Sequence, residues 1–136
     1  MYHKLVMVGY LGGDPEMRFT PSGTSVTNFS VATTRKWKNQ DGSQGEETVW
    51  FRVAAWGNLA DVCDKYLHKG SLVLVEGMLK PIEAYTKNDG TPGANYQMHA
   101  NLVRFLDRAG ETRTSQEEPR EKPQAKPSLN EDDIPF

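Results

Sequence analysis

The chain has 136 residues, enough for one domain with an appendage, and its 16 Lys and Arg against 18 Asp and Glu give a formal charge of −2. Residues 1–106 carry eleven basic and ten acidic side chains (+1), whereas residues 107–136 carry five basic and eight acidic side chains (−3). Because residues 1–106 are nearly neutral, they would have to hold a phosphate-bearing ligand by stacking as well as by charge. Cys63 is the single cysteine, which excludes an internal disulfide framework and a cysteine-rich zinc site. No apolar run is long enough to span a bilayer, and the first residues lack the pattern of a signal or transit peptide.

The first predicted strand, residues 4–11, is apolar on both of its faces. This pattern indicates burial on one side by a barrel interior and on the other by a partner subunit. The glycines that follow, Gly12 and Gly13, precede Asp14 and Pro15, and they have the spacing of neither a dinucleotide-binding loop nor a P-loop. We interpret residues 12–15 as a turn before a short strand at 16–19.

A long strand is predicted from residue 26 to residue 37, ending in a protruding hairpin with its tip at 39–45. At the end of this strand, the ring of Trp37 lies among three cations, Arg35, Lys36 and Lys38. This combination suits the binding of nucleic acid. The alternative is a solvated basic hairpin with one incidental ring. Strict alternation puts Trp37 on the side of Phe29 and Val31, so only a curled or bulged strand would bring it to the opposite face.

The central strand, residues 47–56, separates two kinds of side chain by alternation. Val49, Phe51 and Val53 face a core. The other face carries Trp50, Arg52 and Trp56, two flat rings with a guanidinium between them, which suits unstacked bases and their phosphates. The alternative is that these two rings fill a second packed layer.

One helix is predicted at residues 58–68, with Asn58 as its N-cap, Cys63 on its core-facing stripe and Gly70 shortly beyond its end. Strands at 71–79 and 95–105 follow, separated by a hairpin tip at 86–93. Five strands with a helix between the third and the fourth is the order of the OB-fold, an all-β barrel that commonly binds oligonucleotides or oligosaccharides.

From residue 107 the sequence is polar and proline-containing, which predicts a disordered acidic tail at 107–136 after an OB-fold domain at 1–106. The chain ends in EDDIPF. Large apolar residues at the end of a polar tail have no local core to join, so this tip is predicted to bind a partner.

Four blocks resemble the bacterial-type single-stranded DNA-binding proteins: VMVGYLGGDPEMRF, TVWFRVAAWG, LADVCDKYLHKGSLVLVEGML and DDIPF. The resemblance implies a cytoplasmic, nucleoid-associated homotetramer that binds single-stranded DNA without sequence specificity. It also implies recruitment of replication, recombination and repair proteins through the tip, by Asp132, Asp133, Ile134, Pro135 and Phe136. No cofactor, metal or catalytic residue is implied.

Matched to the family's motifs, Trp37, Trp50 and Trp56 occupy stacking positions, and Tyr85 is the candidate for a fourth. Phosphate contacts are implied at or beside five cations: Arg35, Lys36, Lys38, Arg52 and Lys69. The segment 80–85 departs from the family, because it lacks the usual basic run before the aromatic residue.

Two other classes of function remain as alternatives. An enzyme receives little support, because His3, His68 and His99 are far apart in the sequence and no nucleophile or zinc motif is present. An OB-fold replication accessory protein that acts mainly through protein partners, or a carbohydrate binder, would also use surface tryptophans. Neither of these explains an acidic tip that ends in phenylalanine.

Overall fold

The computed structural model describes residues 1–107, which form seven strands and one helix. In chain order these are β1 (Leu5–Leu11), β2 (Glu16–Phe19), β3 (Ser25–Lys38), β4 (Gln44–Trp56), α1 (Asn58–Tyr66), β5 (Leu72–Leu79), β6 (Glu83–Thr86) and β7 (Pro92–Phe105). The predicted tail, apart from Asp107, lies outside the described residues.

The sheet closes into a barrel. Its strand order is β1-β5-β7-β4-β3-β2, and β1 also pairs with β3 through Tyr10↔Ala32 and Leu11↔Val31. The five strands β1, β3, β4, β5 and β7 make the closed circuit, and α1 falls between the third and the fourth of them. The prediction of an all-β OB-fold is therefore confirmed.

Alternating apolar side chains fill the barrel, because each strand turns one face inward. Helix α1 packs under this core through Cys63, and the Thr27 hydroxyl donates a 2.8 Å hydrogen bond to the Ala60 carbonyl. The buried cluster consists of Met7, Leu11, Phe29, Val31, Val53, Ala55, Cys63, Leu67, Val73, Val75, Met98, Ala100 and Val103. Its burial removes apolar surface from water and is the main stabilising contribution to the barrel.

The start of α1 corrects the predicted N-cap. The capping position is Gly57, whose φ of 60° is accessible to glycine at little cost, and no side chain caps the helix. Asn58 is instead the first helical residue. The helix also ends at Tyr66, two residues before the predicted end, because the Leu67 amide donates to the Cys63 carbonyl and the chain then becomes extended.

The outer face of β1 is apolar, and no other part of residues 1–107 covers it. Val6, Val8 and Tyr10 are each about half exposed, and they lie beside the half-buried Leu72 and Leu74 of β5. Both faces of this strand are therefore apolar, as the sequence predicts. The inner face is buried by the barrel.

Candidate nucleic-acid interface

The outward face of β4 carries the three side chains that alternation predicts. Trp50 is 54% exposed and Trp56 is 39% exposed, with exposed Arg52 between them, whereas Val53 and Ala55 on the inner face are buried. Within residues 1–107, the two indoles are therefore not part of a second packed layer. They present flat apolar surface to solvent beside a fixed positive charge.

A groove of about 860 Å³ runs along this face. The turn at residues 12–14 forms one side of it, and side chains of β3, β4 and β7 form its floor and its other side. The rings and polar groups within it include Trp50, Arg52, Trp56, Lys80, Gln97 and His99. The groove thus combines stacking surfaces with cations and hydrogen-bonding groups, the chemistry that single-stranded nucleic acid requires.

Three of the four predicted stacking rings lie directly against a glycine. Trp50 lies against Gly12 in the first turn, and a Cβ at this glycine would overlap the ring. The other two are cross-strand pairs: Trp37 lies over Gly45, and Tyr85 lies over Gly93. In each case a missing Cβ lets the ring approach the backbone closely.

Tyr85 shares the sheet face of the groove. The pairing Tyr85↔Gly93 puts both residues on one side of the β6–β7 hairpin, and alternation along β7 puts Gly93, Gln97 and His99 on that same side. Its ring is 44% exposed. An exposed ring thus lies on this face despite the departing segment 80–85, and the stacking role of Tyr85 stays a prediction.

Trp37, by contrast, does not join the face of Trp50. The register of β3 and β4 is continuous from Val26↔Trp56 to Lys38↔Gln44, with no bulge that would reverse the alternation. Trp37 is 41% exposed, its indole N–H donates to the Asn39 side-chain oxygen at 3.0 Å, and the Arg35 guanidinium lies 5.1 Å from the ring centroid.

The cations at the end of β3 are partly neutralised across the hairpin. Arg35 lies 3.3 Å from Glu47, and Lys36 lies 3.8 Å from Glu46. Among residues 1–107, Lys38 has no such acidic partner. The hairpin is thus less basic than its RKWK segment indicates, because the acidic residues of β4 fall directly opposite in the register.

Lys69 lies beside the groove rather than in its floor. Its backbone N–H donates a 2.8 Å hydrogen bond to the Asp14 carboxylate, which joins the segment after α1 to the turn that walls the groove. Arg52, in contrast, lines the groove itself. Within the described chain Arg52 makes no ion pair.

Sequence reasoning missed Gln97 and His99 as groove residues. They reach it because β7 pairs in parallel with β4, through Arg52↔Gln97 and Ala54↔His99. The His99 ring lies 5.8 Å from the indole of Trp56, with an angle of 34° between the planes. No local pattern shows this, because the pairing joins residues about 45 positions apart in the chain.

Residues 1–107 contain no group of three or more potential metal ligands, and no helix in that part of the chain is long and apolar enough to cross a membrane. The five predicted partner-binding residues lie outside the described residues: Asp132, Asp133, Ile134, Pro135 and Phe136.

The fold agrees with comparisons to known proteins. The model of the single-strand binding protein family matches residues 2–106. The chain belongs to this family. The resemblance first seen in the sequence blocks is therefore confirmed.

Relatives within the single-strand binding protein family include two named bacterial proteins. A single-stranded DNA-binding protein of Wolinella succinogenes is 38% identical over 110 residues, which are 81% of this chain and 67% of that protein. Single-stranded DNA-binding protein 1 of Chlorobaculum tepidum is 49% identical over 78 residues, which are 57% of this chain and 48% of that protein. The matched part of this chain thus spans about half to two thirds of these relatives' length.

Two solved structures share the fold. A Plasmodium falciparum SSB in complex with ssDNA superposes with a TM-score of 0.66 at 27% identity, covering 79% of this chain and 97% of that one. A deletion mutant of the single-stranded DNA binding protein from Thermus aquaticus superposes with a TM-score of 0.62 at 26% identity, covering 79% of this chain and 51% of that one.

Proposed function

We propose that this protein binds and protects single-stranded DNA without sequence preference, by stacking bases on aromatic rings and by contacting phosphates. The observation that carries the proposal is the groove along β4, in which the exposed rings of Trp50 and Trp56 flank the guanidinium of Arg52, which makes no ion pair within residues 1–107. Every base has a ring face to stack, so such a surface accepts any sequence. Tyr85 on the same sheet face and Trp37 on the opposite face of the hairpin extend the contact.

Lys38, Arg52 and Lys69 supply the phosphate contacts of this proposal, and Arg35 and Lys36 contribute to the extent that phosphates displace Glu47 and Glu46. Exposed ion pairs are weak and are screened by salt, so such an exchange costs little. Phosphate binding at these cations releases counterions, which makes the affinity salt-dependent.

Titration of the intact protein with single-stranded and duplex oligonucleotides of the same sequence tests the proposal. Binding of the single strand should quench tryptophan fluorescence. A duplex competitor should displace little of the bound single strand, because paired bases hide their ring faces. Equal affinity for the two forms, or an affinity independent of salt, would contradict the proposal. We expect no cleavage when Mg²⁺ is added, since no catalytic role is proposed.

The outer face of β1 supports a second part of the proposal, assembly into a homotetramer. Val6, Val8 and Tyr10 form an apolar strip that a second copy of the chain would cover. The test is native mass measurement of Val8→Asp, with Val62→Asp on the exposed face of α1 as control. Only the change at Val8 should lower the mass, and an unchanged mass for both variants would contradict this part.

The acidic tip carries the third part: recruitment of replication, recombination and repair proteins. We assign DNA binding to residues 1–106 and recruitment to the tail at 107–136, acting on single-stranded DNA in the cytoplasm at the nucleoid. Ile134, Pro135 and Phe136 would enter a shallow apolar pocket of a partner, and a basic rim there would meet Asp132 and Asp133.

A pull-down from a bacterial lysate, with DNA affinity measured on the same variants, distinguishes the role of the tip from that of residues 1–106. A variant that ends at Pro135 should lose the captured partners and keep the DNA affinity of the intact protein, because the barrel is unchanged. The control is Gln124→Ala within the tail, which keeps the tip and should capture the same partners as the intact chain. Identical sets of proteins for all three forms would show that the tip is not the docking site.

A further inference from the structure

Two hairpins of the barrel carry the same sequence pattern. WKNQDGSQG at 37–45 joins β3 to β4, and YTKNDGTPG at 85–93 joins β6 to β7. In both segments an aromatic residue comes first, Asp-Gly and a hydroxyl-bearing residue form the tip, and a second glycine comes last. The two segments lie in different strand pairs, so the likeness does not come from the pairing of one with the other.

The two tips also have the same hydrogen bonds. The Asp41 carboxylate accepts from the Ser43 amide at 2.9 Å and from the Ser43 hydroxyl at 2.6 Å. The Asp89 carboxylate accepts from the Thr91 amide at 3.0 Å and from the Thr91 hydroxyl at 2.6 Å. The glycine after each aspartate has a φ of 85°, which glycine adopts at little cost. Each tip is therefore fixed by bonds among its own residues.

Each hairpin lays its ring against the last glycine of the pattern. The register pairs Trp37 with Gly45 and Tyr85 with Gly93. A Cβ at Gly93 would lie 2.6 Å from Cζ of the Tyr85 ring, and 2.9 Å and 3.0 Å from Oη and Cε1 on two sides of it. Such nearly equal distances place Gly93 under the face of the ring and not at its edge. A Cβ at Gly45 would overlap Cε2, Nε1 and Cζ2 of the indole.

The backbone itself does not require glycine at either position. Gly45 and Gly93 lie within strands, and neither has a positive φ. Glycine destabilises a strand relative to alanine, so both positions cost the fold some stability. What both gain is space for a ring, and both rings remain partly exposed to solvent. A local rule broken in the same way at two exposed rings indicates a functional reason.

We propose that Gly45 and Gly93 are positioning residues for DNA binding, each holding a ring flat on its hairpin with one face turned outward to receive a base. The inference rests on the proposed binding of single-stranded DNA. A ring that is already held in place loses little conformational freedom when a base stacks on it, so more of the stacking energy appears as affinity. The two hairpins are thus two copies of one base-stacking unit.

The first hairpin adds a chain of hydrogen bonds from its ring to its tip. The indole N–H of Trp37 donates to the Asn39 side-chain oxygen at 3.0 Å. The Asn39 side-chain nitrogen donates to the Ser43 hydroxyl at 2.9 Å, and this hydroxyl donates to Asp41. Within residues 1–107, no such chain joins the ring of the second hairpin to its tip. Asp41 is therefore also a positioning residue, whereas Asp89 fixes its turn alone.

The experiment measures the affinity of the full-length protein for oligothymidylate of about 16 nucleotides, the upper end of the site on one OB-fold. Gly45→Ala and Gly93→Ala should each weaken binding roughly fivefold, the low end of what one stacked base contributes. The melting temperature should stay nearly unchanged. Gln44→Ala is the control, because Gln44 points to the opposite face of β4 from Gly45, and it should bind as the wild type does.

A double-mutant cycle separates the position of the ring from other effects of the added methyl group. Gly45→Ala should cause no further loss in a protein that carries Trp37→Ala, and Gly93→Ala should cause none in a protein that carries Tyr85→Ala. A glycine with a merely structural role would weaken binding equally with and without its ring. That outcome, or wild-type affinity for both glycine variants, would overturn the inference.

Asp41→Ala and Asp89→Ala are a second, matched pair, since each removes one acidic charge and the hydrogen bonds of one turn. Asp41→Ala should bind DNA more weakly than Asp89→Ala does, because it also releases the Trp37 ring. This pair keeps the test decisive if a glycine variant does not fold. Equal affinities for the two variants would overturn the role of Asp41.

The position of the first ring can also be measured without DNA. In a protein with Trp50→Phe and Trp56→Phe, Trp37 is the only tryptophan, and Gly45→Ala should increase the quenching of its fluorescence by acrylamide. Unchanged quenching would overturn the positioning role of Gly45. Absence of binding to oligothymidylate by the wild type is a distinct result, which would overturn the proposed function itself.

Discussion

The indole of Trp50 lies directly against Gly12, so that a Cβ at Gly12 would overlap Cζ3 and Cη2 of the ring. The next residue, Gly13, has open space where its Cβ would be, and neither glycine has a positive φ. Gly12→Ala should therefore displace the ring without straining the backbone. We expect a loss of about 1 kcal/mol in affinity for single-stranded DNA, at the low end of what one stacked ring contributes.

Gly13→Ala is the matched control for this prediction, and it should leave the affinity unchanged. Fluorescence titration with oligothymidylate measures both variants, and thermal unfolding checks that both fold. Equal effects of the two changes would mean that contact between Gly12 and Trp50 does not position the ring.

The second prediction concerns the two rings of the groove. Trp50→Ala and Trp56→Ala should each weaken binding by about 1 to 3 kcal/mol, the range for loss of one stacked base. Because both rings are partly exposed, neither change should unfold the barrel. A large fall in the melting temperature would show instead that these residues serve mainly to stabilise the fold.

The third prediction follows from the position of Trp37 on the opposite face of the hairpin from Trp50. A strand must pass around the hairpin to meet both rings, so Trp37→Ala should weaken binding of long oligonucleotides and spare those of about four to six nucleotides. Trp50→Ala should weaken both. Equal losses for short and long strands with Trp37→Ala would contradict this arrangement.

The fourth prediction concerns the acidic partners on β4. Glu46→Gln and Glu47→Gln free Lys36 and Arg35, so each should tighten binding of single-stranded DNA and steepen its salt dependence. Glu83→Gln, which removes a carboxylate bonded to Gln97 and not to a cation, is a control. Its salt dependence should change less than that of the other two variants.

The fifth prediction concerns Cys63 at the base of the barrel. Burial raises the pKa of its thiol from 9.0 to about 11. The neutral thiol is thus favoured in the folded state, and its contribution to stability is complete below about pH 9 and is lost as the pH rises toward 11. Alkylation at pH 8 should be slow in the folded protein and fast in denaturant. Rapid reaction in the folded state would contradict the buried position.

The sequence predicts the faces of β4 well, because alternation alone separates Trp50 and Trp56 from Val53. It also predicts the circuit of five strands, since turns and apolar runs mark each of them. The helix begins at Asn58 as predicted, but the predicted N-cap was wrong, because Asn58 has the side chain of a good N-cap whereas Gly57 has the backbone freedom that the sharp entry requires.

The parts that sequence reasoning missed depend on contacts between distant strands. His99 enters the groove only through the parallel pairing of β7 with β4, and Glu46 meets Lys36 only through the register of the hairpin. Neither relationship leaves a periodic trace in the local sequence. Strands β3, β4 and β7 are likewise longer than predicted, because their polar ends lack the alternation of apolar residues that marks a strand facing the core.

The closure of the barrel between β1 and β3 rests on two residue pairs, whereas β3 and β4 are paired along their whole hairpin from Val26↔Trp56 to Lys38↔Gln44. Local opening costs least where the fewest backbone hydrogen bonds must break. The barrel should therefore open first at this seam, and the Gly12 amide, which donates to the Ser30 carbonyl at 3.0 Å, should be among the earliest to exchange with deuterium. Such opening would separate Gly12 from the indole of Trp50, whereas Trp56, farther along β4, would keep its contact with the His99 ring.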